Sequence, residues 1–211
     1  MNPVSLPIFP LPDLTFFPHT LLPLHIFEAR YRAMITDCLA RDRQLAVVGL
    51  KPGYEADYDG RPAVHAVAGA GTIVRYERLA TGRFNVLLKG ERRIRIEREV
   101  PADTLYRMVA ATLLAEHGGD GPEVAALVPR VKARCRQILD AVGRGGAELR
   151  ESLEGLGDPA ELCDQVASAL VPAPAVRQAL LEELHVERRL ERLVGALDDL
   201  LSQLPGEGGR A

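Results

Sequence analysis

A chain of 211 residues, 47% hydrophobic and 26% charged, has enough apolar surface for one large packed domain or two small ones. Its formal net charge of -3 supplies no global basic field to draw nucleic acid or anionic lipid. No apolar run approaches the roughly 18 residues of a membrane span, and prolines interrupt the N-terminal stretch too often for a signal peptide.

The run from Leu6 to Tyr31, LPIFPLPDLTFFPHTLLPLHIFEARY, mixes apolar residues with Pro7, Pro10, Pro12, Pro18 and Pro23. Proline locks φ and lacks an N–H, so this stretch is expected as a rigid, kinked β-arm outside any central strand. Phe16 and Phe17 are adjacent; on a strand they would point to opposite faces, one into the core and one outward. Phe27, Tyr31, Met34, Ile35 and Cys38 then recur at helical spacing, predicting an amphipathic helix from about Ile26 to Ala40, with Glu28 and Arg32 as an i,i+4 pair.

Leu45 to Leu50 reads as a short buried strand, and Tyr54 to Pro62 as a polar turn region. Val64 to Leu79 is β-like, with Gly69 and Gly71 marking a bulge or bend. Thr81-Gly82 turns the chain into Phe84 to Lys89. A separate strand with one wet face is expected where Arg93, Arg95 and Glu97 alternate with Ile94 and Ile96. Tyr106 to Leu114 supplies one more.

Beyond the polar break at Glu116 to Pro122 the period becomes helical. Val124, Val131, Cys135 and Ile138 share a stripe, and Pro129 either starts that helix or kinks it. Asp158-Pro159-Ala160-Glu161 combines an N-cap, a proline at the first helical position and a glutamate three beyond the cap. Stripes through Val176, Leu180 and Leu184 and through Val186, Leu190 and Leu193 are out of phase, which predicts a bend between Leu184 and Val186. The fold class is α+β, with a β-rich region at 1–117, a bundle of about four helices at 118–204 and a tail at 205–211 expected to lack order.

Leu6, Pro7, Pro10, Leu11, Phe17, Pro18, Pro23, Leu24 and Glu28 fill the pattern with which Lon protease N-terminal domains open. VLLKGERRIRI, from Val86 to Ile96, matches that family's strand-glycine-strand segment, and Asp164 to Leu197 resembles its helical end. His185 stands where an aspartate often caps the last helix, and histidine is a poorer cap. The resemblance covers about Leu6 to Leu201. It implies a PUA-like antiparallel β pseudo-barrel with one inserted helix, followed by a C-terminal helical bundle. It also implies a standalone, non-catalytic module for unfolded or exposed polypeptide segments, or for a partner protein.

No GxxxxGK[ST] is present to cradle phosphates, and no serine has a recognisable nucleophile setting, so neither an enzyme nor a cofactor site is expected. His19 and His25 near Glu28 lack a third convergent metal ligand. Glu55, Asp57 and Asp59 lack the spacing of a calcium loop. Cys38, Cys135 and Cys163 form no CxxC pair, which suits buried thiols in the reducing cytoplasm. Phe16 and Phe17 are the candidate polypeptide contacts. The alternative is RNA binding by Arg75, Arg83, Arg92, Arg93 and Arg95 on the central hairpins. Cross-strand ion pairs with the interleaved glutamates would account for the same arginines.

Overall fold

The structure, a computed structural model, describes residues 3–57, 60–143 and 146–204; Asp59 and the 205–211 tail lie outside the described residues. The chain divides into two compact units, Met1–Ala115 and Glu116–Ala211.

The first unit contains β1 (Val4–Leu11), β2 (Leu21–Ile26), α1 (Ala29–Leu39), β3 (Gln44–Gly49), β4 (Val67–Arg78), β5 (Phe84–Val100) and β6 (Met108–Leu114). Strand order is β2-β5-β4-β3-β1-β6, and β5 also pairs with β6, so five strands close a ring with β2 outside it. The ring is mixed, not purely antiparallel, because β1 and β3 run parallel. Parallel strands need a long crossover, and β2 with α1 supplies it.

Pro7 and Pro10 lie inside β1, a strand with neighbours on both sides, which corrects the expectation that no central strand could hold them. The pairing explains the tolerance. Val4 to Pro7 pair with β6, while Ile8 to Leu11 pair with β3. Each half of β1 is therefore an edge on one side, where a missing N–H costs nothing. Pro23 lies in β2, which pairs with β5 alone.

Two apolar clusters flank the ring wall. Leu6, Ile8, Ala46, Ala68, Ile94 and Val109 belong to one that draws on all five ring strands. Small residues recur there because a five-stranded ring leaves a narrow interior. The other cluster joins Phe9, Phe16, Tyr31, Met34, Ile35 and Leu88, with the Phe9 and Tyr31 rings 4.4 Å apart.

Phe16 and Phe17 are both buried, so the expected exposed aromatic does not exist at either position. The segment between β1 and β2 is not a strand, and strand alternation does not apply to it. It runs against the sheet where side chains are missing: a Cβ on Gly69 would overlap the Phe16 carbonyl, and one on Gly90 the Phe17 carbonyl. Gly71 marks the anticipated bulge, at the register shift between Ala70 and Gly71. Phe84 to Val100 is one 17-residue strand where two were expected, because bulges bend it without ending it. Helix α1 begins only at Ala29, which leaves Phe27 off its buried stripe and 59% exposed. Glu28 pairs with Arg30 (2.9 Å), not with Arg32.

The second unit contains α2 (Pro122–Val142), α3 (Gly146–Gly155), α4 (Pro159–Leu170), α5 (Pro174–Glu182) and α6 (Val186–Gln203). Pro129 sits inside α2, which starts well before it. Helix α3 was not anticipated. Asp158 caps α4 as expected, its Oδ1 accepting from the N–H groups of Ala160 (2.7 Å) and Glu161 (3.1 Å). The chain breaks between α5 and α6 at the predicted bend. His185 makes no side-chain cap there; instead the Val186 N–H donates to the His117 carbonyl (2.9 Å). Arg189 of α6 is fully buried, donates to Glu116 and lies 3.8 Å from the equally buried Asp164.

All three cysteines are free and buried. Burial, reinforced by Asp42 and Asp37, pushes the Cys38 thiol up to about 12. Burial and a 2.7 Å hydrogen bond to Asp37 likewise push the Tyr106 phenol up to about 12. In the unfolded chain these groups ionise near 9 and 10, so unfolding gains free energy as pH passes those values. Both contributions are intact below about pH 9 and are lost progressively towards pH 12. The urea midpoint is expected to stay level to about pH 8.5 and fall above 9, less steeply in Tyr106→Phe. A midpoint still level at pH 11 would contradict this.

Candidate functional site

Strand β2 ends the sheet order, and its register on β5, with that of β5 on β4, builds three cross-strand rows. His25, Asn85 and Glu77 form one, Leu24, Val86 and Tyr76 the next, and Pro23, Leu87 and Arg75 the third. These residues line an open groove of about 690 Å³. A bulge between Ile73 and Arg75 leaves Val74 unmatched and exposed beside it.

Each row has its own chemistry. The Asn85 amide nitrogen donates to Glu77 Oε2 (3.1 Å), so Asn85 Oδ1 is an acceptor and the His25 ring donates to it through Nδ1 (2.8 Å). The Pro23–Leu87–Arg75 row is apolar over two strands and ends in a guanidinium. Arg43 lies over the Tyr76 ring, 5.8 Å from its centroid.

Apolar exposure concentrates around this groove. Leu21, Phe27, Val74 and Tyr76 are four of the seven exposed large hydrophobics among the described residues. Leu21, Pro23, His25 and Phe27 are exposed at every second position along the run. The His25 and Phe27 rings stack at 6.3 Å. A strip of this kind on an edge strand with one side free can take an extended chain, by main-chain pairing along the strand and apolar contact beside it.

The residues singled out from sequence scatter. Phe16 and Phe17 serve the interior. Arg75 lines the groove and Arg83 closes the β4–β5 turn, while Arg92 and Arg95 are exposed further along β5 and Arg93 is 1% exposed. An RNA face built on Arg93 is therefore corrected by its burial. The expected cross-strand ion pairs are also absent for Arg75, Arg83, Arg92 and Arg95 among the described residues. Register explains it, since Leu87, Ala70 and Val67 stand opposite Arg75, Arg92 and Arg95. The acids are engaged elsewhere: Glu77 by Asn85, Glu91 by Thr72, and Glu99 by Arg61 and Arg107. Sequence reasoning missed the exposure of Leu21 and Phe27, although the alternation in LLPLHIF carried the signal.

Among the described residues no group of three or more His, Cys, Asp or Glu side chains could hold a metal ion, and no helix is long and apolar enough to cross a membrane.

The family model for the ATP-dependent protease La (LON) substrate-binding domain matches residues 5–199. The Lon protease of Xanthomonas oryzae pv. oryzae is 26% identical over 195 residues, 92% of this chain and 23% of that protein. The Lon protease of Azospirillum brasilense is 28% identical over 202 residues, 95% of this chain and 25% of that protein. The chain thus spans about a quarter of the length of these curated relatives. Among solved structures, the N-terminal domain of Mycobacterium avium complex Lon protease superposes with a TM-score of 0.75 at 23% identity, covering 93% of this chain and 99% of that one. A Lon N-terminal domain protein from Xanthomonas campestris gives 0.65 at 24% identity, covering 96% and 99%. The likeness to these structures is one of fold.

Proposed function

The chain belongs to the LON substrate-binding domain family, and from that membership we propose that it is a non-catalytic polypeptide-recognition module whose contact surface is the β2–β5–β4 groove. The single observation that carries the location is the cluster of exposed apolar side chains around an edge strand that has one side free. Such a surface costs solubility unless something covers it, and an unfolded segment has matching apolar side chains and an unpaired backbone to offer. The closed five-strand ring supports reading the first unit as a PUA-like pseudo-barrel. Three free, buried thiols fit a reducing cytoplasm.

Exposed residues can be changed at little cost to the fold, typically within about 0.5 kcal/mol. The double variant Leu21→Ser/Phe27→Ser is therefore expected to keep the parent melting temperature. Burial of one large apolar side chain is worth about 1.5–3 kcal/mol, so affinity for an unfolded probe such as reduced, carboxymethylated α-lactalbumin should fall roughly tenfold or more. Unchanged affinity in a folded double variant would remove the groove from the reading.

A further inference from the structure

The groove's lining sets one cation, Arg75, against one acid, Glu77, but the hairpin that carries it is lopsided in charge. From Arg75 to Lys89 the two hairpin strands and their turn carry four cations, Arg75, Arg78, Arg83 and Lys89, against one acid, Glu77, within a chain whose net charge is -3. All five are exposed. Glu77 is held by Asn85 within the His25–Asn85–Glu77 row. Arg75 lies two rows away, lines the groove, and has no ion pair among the described residues. A guanidinium offers five fixed donors and matches a carboxylate in bidentate geometry. Leu87 and Pro23 in the same row give an adjacent apolar side chain somewhere to rest.

Resting on the polypeptide-recognition reading above, we propose that the groove prefers extended segments in which a large apolar residue neighbours an aspartate or glutamate, with Arg75 as the specificity-determining residue. The apolar side chain covers Leu87 and Pro23, while the carboxylate meets Arg75. Arg78, Arg83 and Lys89 supply a field that attracts the same acidic segments and repels basic ones, which selects partners more than it adds raw affinity.

Three fluorescein-labelled decapeptides test this, sharing one Phe-Leu core flanked by aspartates, serines or lysines. Anisotropy titration on the full chain is expected to rank them acidic, neutral, basic. An exposed ion pair contributes about 0.2–1 kcal/mol, so each step should be roughly 1.4- to fivefold. Arg75→Glu should reverse the order, and Arg75→Gln should flatten most of it. The preference should vanish in 1 M NaCl, where charges are screened within about 3 Å. Equal binding of all three peptides, or an order that Arg75→Glu leaves intact, overturns the specificity and leaves polypeptide recognition standing. If no peptide binds and unfolded α-lactalbumin is not bound either, both readings fall. Tighter binding of a single-stranded oligouridine probe, lost in Arg75→Glu, would overturn the proposal in favour of nucleic acid.

Discussion

Replacing Arg189 with alanine is expected to destabilise the protein by about 3–5 kcal/mol, the range for removing one partner of a buried ion pair. Arg189 has no exposed surface, and neither does Asp164 on α4, 3.8 Å from its Nε. Its other contacts reach Glu116 and the Glu183 carbonyl, so one guanidinium ties α6 to α4, to the segment before α2 and to the end of α5. Burial disfavours its charge, but Asp164, Cys163 and Glu116 outweigh that and raise its proton affinity further. The side chain is therefore a cation at every working pH. Truncation leaves the Asp164 carboxylate in the interior without this cation, and a buried charge is costly when uncompensated. Arg189→Met combined with Asp164→Leu should recover much of the loss, because an apolar replacement of the whole pair avoids the desolvation cost. Urea unfolding of the single and double variants measures both effects. A single-variant loss below about 1 kcal/mol, or a double variant no better than the single, would show that the pair is not the anchor of the helical unit.

Alanine at Phe16 and alanine at Phe17 are each expected to cost about 3–5 kcal/mol, a large share of a typical total near 5–15. Strand alternation would instead predict one severe and one silent substitution. The structure rules out that asymmetry because both rings are buried and the segment that carries them has no strand conformation. Gly69 and Gly90 let the Phe16 and Phe17 carbonyls approach the sheet. Once the backbone lies that close, neither adjacent ring is left in water. Thermal unfolding of the two variants should show comparable, large drops. A melting temperature within a degree or two of the parent for either one would restore the alternating picture.

Several features could be read from the chain because their causes are local. Asp158-Pro159 caps a helix through a side chain two and three residues from the N–H groups that donate to it, and the change of stripe at Leu184 to Val186 breaks one through phase alone. Gly71 marks a bulge because a missing Cβ is a property of that position. The family resemblance was legible too, since it rests on spacings of proline and leucine within one stretch. Sequence by itself therefore determined most element types, though not α3, together with the switch from β to helix near Glu116 and the family.

Everything that depended on which strand lies beside which had to wait for the tertiary structure. Pro7 and Pro10 look excluded from a sheet interior until β1 is seen to give half its length to β6 and half to β3. Arg75, Arg93 and Arg95 look equivalent in sequence, but register and bulges leave Arg75 exposed in the groove and bury Arg93. The groove needs β2 as an edge on β5 and β5 on β4, and its rows join residues up to 64 positions apart, as from Pro23 to Leu87. Pairing is set by the summed burial of many distant side chains, and a shift of one residue would turn every side chain of a strand to the other face. No local window contains that sum, which is why the helix caps were legible and the groove was not.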